Sequence, residues 1–407
     1  MEQTAIPIDI GVAPAKTGGS RLWVAKLYYL AFFASLGAMA PYFNLFLLSR
    51  GFSGTEIGLL GSIPPMISLA ANPFWNGIAD RWKIHRLVLA TCVLMAGLVS
   101  FPFIWTTGFG PMLVLVIAMI FFRTPVMALV DSTVMATVAI TGDSYGKQRL
   151  FGSIGFLAAS LLLGRLLTPD TLSNIFVVQG LLLAVVCTGL SFLLPMAHLA
   201  EGEKGHLWAG LRTLARQRAY VGFLLMNILM GFGAACFINF VGLKMAAMGA
   251  SESDIGFAFA LNALTEIPIF FIGARLLARF GFAQLIIAGL IGLAIAYGSI
   301  GVATSLPVVF VMMSTIGFSF GAFWMAVVAF ANETAPPGLR ATGQSLVGAA
   351  QGGLGWALGA ITGGILWDAT NGTVVLLTGA VSLLAGALIF WIGQRQPPQR
   401  VQPQPAN

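Results

Sequence analysis

Apolar residues run along this chain in blocks of about twenty or more, broken by short polar turns and without the period-two alternation of a strand. Twelve blocks stand out, near 23–48, 55–79, 87–106, 111–139, 148–168, 173–194, 219–246, 254–278, 282–303, 307–332, 341–366 and 373–393. Blocks of that length match the hydrocarbon thickness of a bilayer. In lipid every backbone N–H and C=O must be satisfied internally, so only helices or closed barrels can span, and the missing alternation selects helices. The longest polar connection, "HLAEGEKGHLWAGLRTLARQR", separates the sixth block from the seventh. The pattern predicts an all-α integral membrane protein of twelve spans in two six-helix bundles, over 21–195 and 219–393. A linker at 196–218 joins them, and short tails lie at 1–20 and 394–407.

Composition sharpens this picture. Of 407 residues 58% are hydrophobic and only 9% are Asp, Glu, Lys or Arg, too few to cover a water-soluble surface. The polar N-terminal stretch has no basic cluster ahead of an apolar core, and reads as a tail rather than a signal peptide. The C-terminal "GQRQPPQRVQPQPAN" is rich in Pro and Gln and is expected to be disordered. Cys92, Cys187 and Cys236 lie far apart inside apolar blocks, against a disulfide framework or a metal site, and no cofactor is expected.

The net charge of +7 has a distribution that excludes a nucleic-acid surface. With the spans alternating in direction, Arg50, Arg165 and Lys244 fall on one side and Arg123 inside a span; the other seventeen of the twenty-one Lys and Arg fall on the opposite side. The positive-inside rule then places both termini in the cytoplasm, with the chain in the cytoplasmic (inner) membrane.

A weak internal repeat supports the division into halves. "PFWNGIADRW" at 73–82 is echoed by "PIFFIGARLL" at 268–277, an offset of 195, and "RLFGSIG" at 149–155 by "RATGQSLVGAAQGGLG" at 340–355. Parallel repeats of six spans are a carrier architecture, with the substrate site between the halves near mid-membrane.

Across nearly its whole length the chain resembles the major facilitator superfamily, and within it the group of lactose permease-like and phenylpropionate permease-like proton symporters. The resemblance is carried by "PYFNLFLLSRGFSGTEIGLL" (41–60), "NPFWNGIADRW" (72–82), "YGKQRLFGSIGF" (145–156), "EIPIFF" (266–271) and "APPGLRATGQSL" (335–346) with "GGLGWALGAITGGILWD" (352–368). It implies a solute carrier working by alternating access, expected as a monomer in the bilayer, with protons and a small molecule as its partners. The superfamily's loop between spans two and three reads Gly-x-x-x-Asp-Arg/Lys-x-Gly-Arg-Arg. Here Asn76 and Lys83 replace glycines, while Asp80, Arg81, His85 and Arg86 keep the charge pattern. The resemblance makes Asp80, Arg81 and Arg86, with Arg275 and Arg340 of the second half, a gate at the cytoplasmic face.

Charge within a span costs about 2.5–3.5 kcal/mol on insertion scales and needs a reason. Asp131 and Glu266 are the acidic residues deep in spans, and the three histidines lie in loops or at span ends. If protons drive this carrier, a carboxylate must hold them. Asp131 and Arg149, eighteen residues apart about the turn between spans four and five, are expected at similar depth and able to pair. The symporter group has an acid and an arginine at matching positions that contact substrate. Arg149 would then offer donors to a substrate hydroxyl or carboxylate, with Asp131 holding it; the alternative is an ion pair that only locks the hairpin.

Glu266, mid-span with Asn262 a turn before it and Pro268 just after, is the other proton carrier beside Asp131; burial penalises its charged form. The alternative is a glutamate neutralised by a neighbouring helix. Arg123, two turns before Asp131, is either a second anion ligand or a structural cation that snorkels or pairs. Asn44, Asn239, Asn262 and Gln351, with Asn227 and Gln179, are neutral candidates for substrate contact, against their commoner use in interhelical hydrogen bonds. Trp324 and Trp356, with Tyr42, Phe43 and Phe237, are candidate walls, against packing.

The chain departs from the sugar carriers, which add acidic residues in span seven and a Lys/His/Glu set in span ten. "GFGAACFINFVGL" (231–243) and "FSFGAFWMAVVAF" (318–330) carry no charge. That favours an uncharged or mono-anionic aromatic or glycoside-like solute. The leading function is proton-coupled uptake of a small organic solute. An exporter of drugs or metabolites is second, disfavoured because span five lacks the Gly-x-x-x-Gly-Pro-x-x-Gly-Gly run of such antiporters. A non-transporting sensor is third, and no nucleophile–base set or nucleotide loop suggests an enzyme.

Overall fold

The structure, a computed structural model, describes residues 22–195, 218–334 and 340–394. The expected tails and most of the linker lie outside the described residues. Twelve spans are present among the described residues. The first half comprises α1 (Leu22–Ser49), α2 (Gly54–Trp82), α3 (His85–Ile104), α4 (Phe109–Thr141), α5 (Tyr145–Leu166) and α6 (Asn174–Leu193). The second half comprises α7 (Arg218–Ala247), α8 and α9 (252–280 and 282–302), α10 (Leu306–Thr334), α11 (340–369) and α12 (Gly372–Gln394). The predicted gap between spans eight and nine is present as a tight turn: two helices meet at Gly281, whose φ of 72° and ψ of 165° are not helical.

Among the described residues, ten helices are long and apolar enough by composition alone to cross a membrane. The stretch that qualifies in α8 and α9 begins at Phe271, and the part of α8 before it carries Glu252, Asp254 and Glu266; α11 falls short and carries Gln344, Gln351 and a run of glycines. Such segments are tolerated where a helix faces protein or a water-filled cavity instead of lipid.

The two halves repeat each other in detail. Ser53 and Glu56 form a capping box at the start of α2, and Ser251 and Asp254 form one at the start of α8. Pro73 of α2 and Pro268 of α8 are separated by 195 positions, the same offset as the sequence repeat. Asn44 and Asn239 share that offset and touch: the Asn44 side-chain amide donates to the Asn239 backbone carbonyl at 2.8 Å and to its Oδ1 at 3.3 Å. Repeat-equivalent residues can meet only near the pseudo-two-fold axis, so this pair marks it.

The halves close on one another at the end of the bundle holding the α1–α2 and α7–α8 turns, here the far end. Asp368 of α11 caps α2 from across the interface, its Oδ1 accepting from Gly54 N at 2.7 Å. Its Oδ2 accepts from Thr55 N at 2.7 Å and Thr55 Oγ1 at 2.6 Å. Trp356 Nε1 donates to the Gly61 carbonyl at 3.1 Å. Gly58 lies directly against the backbone of Ala360 and Gly364, and Gly256 against that of Ser160, with no room for a Cβ. One apolar core accordingly runs through the far end from Phe46, Phe52 and Leu60 into Phe237 and Phe240 of the second half. At the opposite, basic end the first half has its own cluster, built on Tyr28, Val88, Cys92 and Val134.

At the basic end the α4–α5 turn is held by Asp143, which accepts from Ser144 N at 2.8 Å and Gln148 Nε2 at 2.9 Å. The Ser144 N–H, with the nearby charges of Lys147 and Lys26, keeps its carboxyl below the ordinary value.

Replacing Asp368 with Ala strips two backbone N–H groups at the start of α2 of their acceptor, a loss of about 1–2 kcal/mol by analogy with other helix caps. The closed far end should loosen correspondingly. Ala360→Cys, fully buried in this seam, should react about tenfold faster with an impermeant maleimide in the Asp368→Ala background. The native Cys92, Cys187 and Cys236 are buried and free, so labelling at position 360 can be read above a low background. An unchanged rate would mean that Asp368 does not hold the seam.

Candidate functional site

Between the halves lies a cavity of about 630 Å³, open on one side. The first half contributes α1, α2 and α4, and the second contributes α7 and α11. Its walls are mostly apolar, including Leu36, Met39, Phe43, Met119, Ile120 and Trp356. Asn44 and Asn239 form its closed end, and Arg123, Ser68 and Asn72 line its side.

Local sequence explains the shape. Pro41 lies where α1 breaks between Met39 and Phe43, letting Phe43 and Asn44 turn over the cavity. The run "AAQGGLG" at 349–355 of α11 is a π-helical stretch, which puts Ala349, Gly352 and Gly353 on the wall. Their lack of bulk gives the cavity its width.

Five of the sequence candidates, Arg123, Asn44, Asn239, Phe43 and Trp356, line this cavity; Asp131, Arg149, Glu266, Asn262, Gln351 and Trp324 do not, nor do Tyr42, Gln179, Asn227 and Phe237. Asn262 Nδ2 reaches the Met313 carbonyl of α10 at 3.4 Å, and Trp324 stacks on Phe320 along α10. Gln351 Nε2 lies 3.2 Å from Met230 Sδ, while its buried Oε1 has no hydrogen-bond partner.

The expected direct pairing of Asp131 with Arg149 is replaced by a relay. Asp131 Oδ1 accepts from Tyr29 Oη at 2.6 Å and Tyr145 Oη at 3.1 Å. The Arg149 guanidinium stacks over Phe33, 3.9 Å from the ring centroid, and lies 5.8 Å from that of Tyr29. The physical reason is α1, which packs along α5 and inserts Tyr29 and Phe33 beside the hairpin. Depth alone could not reveal a third helix there. Glu266 on α8 has Arg149 as the charge facing it across the halves. Sequence reasoning missed Tyr29, Tyr145, Ser68 and Asn72. Ser68 Oγ is 3.2 Å from Thr124 Oγ1, linking α2 to α4 beside Arg123.

The gate residues at the basic end are partly described. Asp80 is exposed and pairs with His85 of its own turn at 2.8 Å, Arg86 donates to the Leu194 carbonyl at 3.2 Å, and Arg275 is exposed. The side chain of Arg340 lies outside the described residues.

Comparison with known proteins agrees with this architecture. Residues 22–377 match the family described as MFS_1 like family. The chain is 28% identical to the maltose permease of Geobacillus stearothermophilus over 389 residues, covering 94% of this chain and 96% of the relative. It is 27% identical to the probable 3-phenylpropionic acid transporter of Escherichia coli (strain K12), covering 71% and 76%. The crystal structure of the nucleoside transporter NupG superposes with a TM-score of 0.79 at 16% identity, covering 92% of this chain and 99% of that one.

Proposed function

Since the chain belongs to the MFS_1 like family of membrane transporters, we propose that it carries a small organic solute inward across the cytoplasmic membrane by proton-coupled alternating access. One observation carries this reading. A solute-sized cavity has walls from both halves and is sealed at the far end by the Asn44–Asn239, Asp368–α2 and Trp356–Gly61 contacts. A site closed on one face and open on the other is one state of a rocking cycle. The bias of basic residues puts the opening on the cytoplasmic side. The named relatives are a maltose permease, a probable 3-phenylpropionic acid transporter and a nucleoside transporter. They support a small organic solute without choosing among these classes.

Arg149 and Glu266, on opposite halves, are the proposed coupling pair, with Asp131 and its tyrosines holding the hairpin beside Arg149. The test is purified protein in proteoliposomes under an imposed pH gradient. Accumulation of a solute with matching proton uptake is expected; neither appearing with sugars, nucleosides or aryl acids would overturn the proposal.

Asp80, which pairs within its own turn while the basic end is open, is proposed to exchange partners when that end closes. Asp80→Asn should lower maximal transport rate several-fold and leave equilibrium solute binding within about twofold of wild type. A large affinity loss with normal turnover would contradict the gate role.

A further inference from the structure

Among the described residues, the charged groups buried in the spans are each engaged, with one exception. Asp131 accepts from two tyrosines, Arg149 stacks on Phe33, and Glu266 faces the charge of Arg149. Arg123 lines the cavity, and its one side-chain hydrogen bond is to Met39 Sδ at 3.7 Å, a weak acceptor. No carboxylate among the described residues lies within 4 Å of it.

Snorkelling does not explain this position. Arg123 is fourteen residues from the start of α4 and eighteen from its end, about 20 Å or more from either at 1.5 Å per residue, beyond the reach of its own side chain. Pairing does not explain it either. Asp131, eight residues along the same helix, spends Oδ1 on Tyr29 and Tyr145.

Most other polar groups around the cavity are spent within the protein. The Asn44 amide is used on Asn239, the Trp356 N–H on Gly61, and Ser68 is joined to Thr124. Asn72, whose Oδ1 has no hydrogen-bond partner among the described residues, is the exception. A polyhydroxylated solute would find few open partners here. What stands open is one fork of guanidinium N–H groups, with the Asn72 amide also lining the cavity, against an apolar wall, a geometry matched to a carboxylate. A single cation suits a single negative charge, and apolar walls suit a hydrocarbon or aromatic body.

We propose that Arg123 is the substrate anchor, and that the solute is an amphipathic monocarboxylate whose carboxylate docks on Arg123 while its apolar body fills the space toward Phe43, Met119 and Trp356. The proposal rests on the carrier reading above and narrows it to one substrate class. It also gives the buried cation a counter-ion during the bound half of the cycle, when the site is shut off from water.

The test uses the purified full chain with benzoate, phenylacetate and hexanoate, each beside its primary amide, and with maltose and uridine. Binding is read by calorimetry and by the shift in unfolding temperature. At least one acid should bind about tenfold or more tightly than its amide, a charge-assisted hydrogen bond being lost in the amide. Arg123→Gln should remove that difference, and Arg123→Lys should retain part of it. The acid–amide contrast in the wild-type protein stands even if a variant folds poorly. Equal binding of acids and amides, acid binding unaltered by Arg123→Gln, or no binding by any acid would overturn the anchor. Transport of maltose or uridine undiminished by Arg123→Gln would overturn it while leaving the carrier reading intact. Absence of transport for every solute in the proteoliposome assay would instead overturn the carrier reading.

Discussion

Gly58→Leu should abolish transport, to at least about a hundredfold below wild type, while leaving the protein folded. Gly58 on α2 rests against the Ala360 carbonyl and Gly364 of α11, so a Cβ there meets backbone that cannot rotate away. Overpacking a fitted contact costs about 1–3 kcal/mol, and a branched side chain wedged between two backbones lies at the upper end. That penalty falls on the state with the far end closed, because the surfaces part when the halves rock the other way. A bias of roughly 3 kcal/mol lowers the population of one state by about a hundredfold. The measurement is uptake together with maleimide labelling of Ala360→Cys, which should become fast when Leu occupies position 58. Wild-type transport with a still-buried position 360 would show that the α2–α11 seam does not open in the cycle.

That seam shows which parts of the molecule could be read from the chain. The spans follow from apolar block length, and the carrier topology from a repeat of 195 residues. That repeat proves physical where Asn44 meets Asn239. The partners of the α11 glycines could not be read from the chain: Gly355 and Gly359 pack against the backbone of α7, while Gly364 meets α2 across the halves. The site was legible as types of residue and not as geometry. Arg123 and Asp131 stand two turns apart on one helix, yet one faces the cavity and the other is held by Tyr29 from α1. Tyr29 was invisible because its ring looks like any packing aromatic until its hydroxyl is placed beside a buried carboxylate. The break between spans eight and nine was legible too, and the structure places it at Gly281, whose non-helical φ of 72° separates the two helices.

Glu266→Gln should uncouple the carrier. Glutamine keeps the shape and one carbonyl acceptor but cannot exchange a proton, so a step that needs protonation and release is lost while the solute cavity is untouched; Glu266 does not line it. Exchange of labelled for unlabelled solute across the membrane requires only that the loaded site rock back and forth. Net accumulation also requires the empty carrier to return, which in a symporter needs the proton released. The expected result is therefore accumulation under a pH gradient reduced to the passive level, with exchange retained within a few-fold of wild type. Arg149 gives a second test of the same pair, because its charge acts on Glu266 across the interface between the halves. Arg149→Gln should also lower accumulation under a pH gradient, more than it lowers exchange. If Glu266→Gln accumulates solute normally, the proton path runs elsewhere, and Asp131 with its two tyrosines becomes the group to replace next.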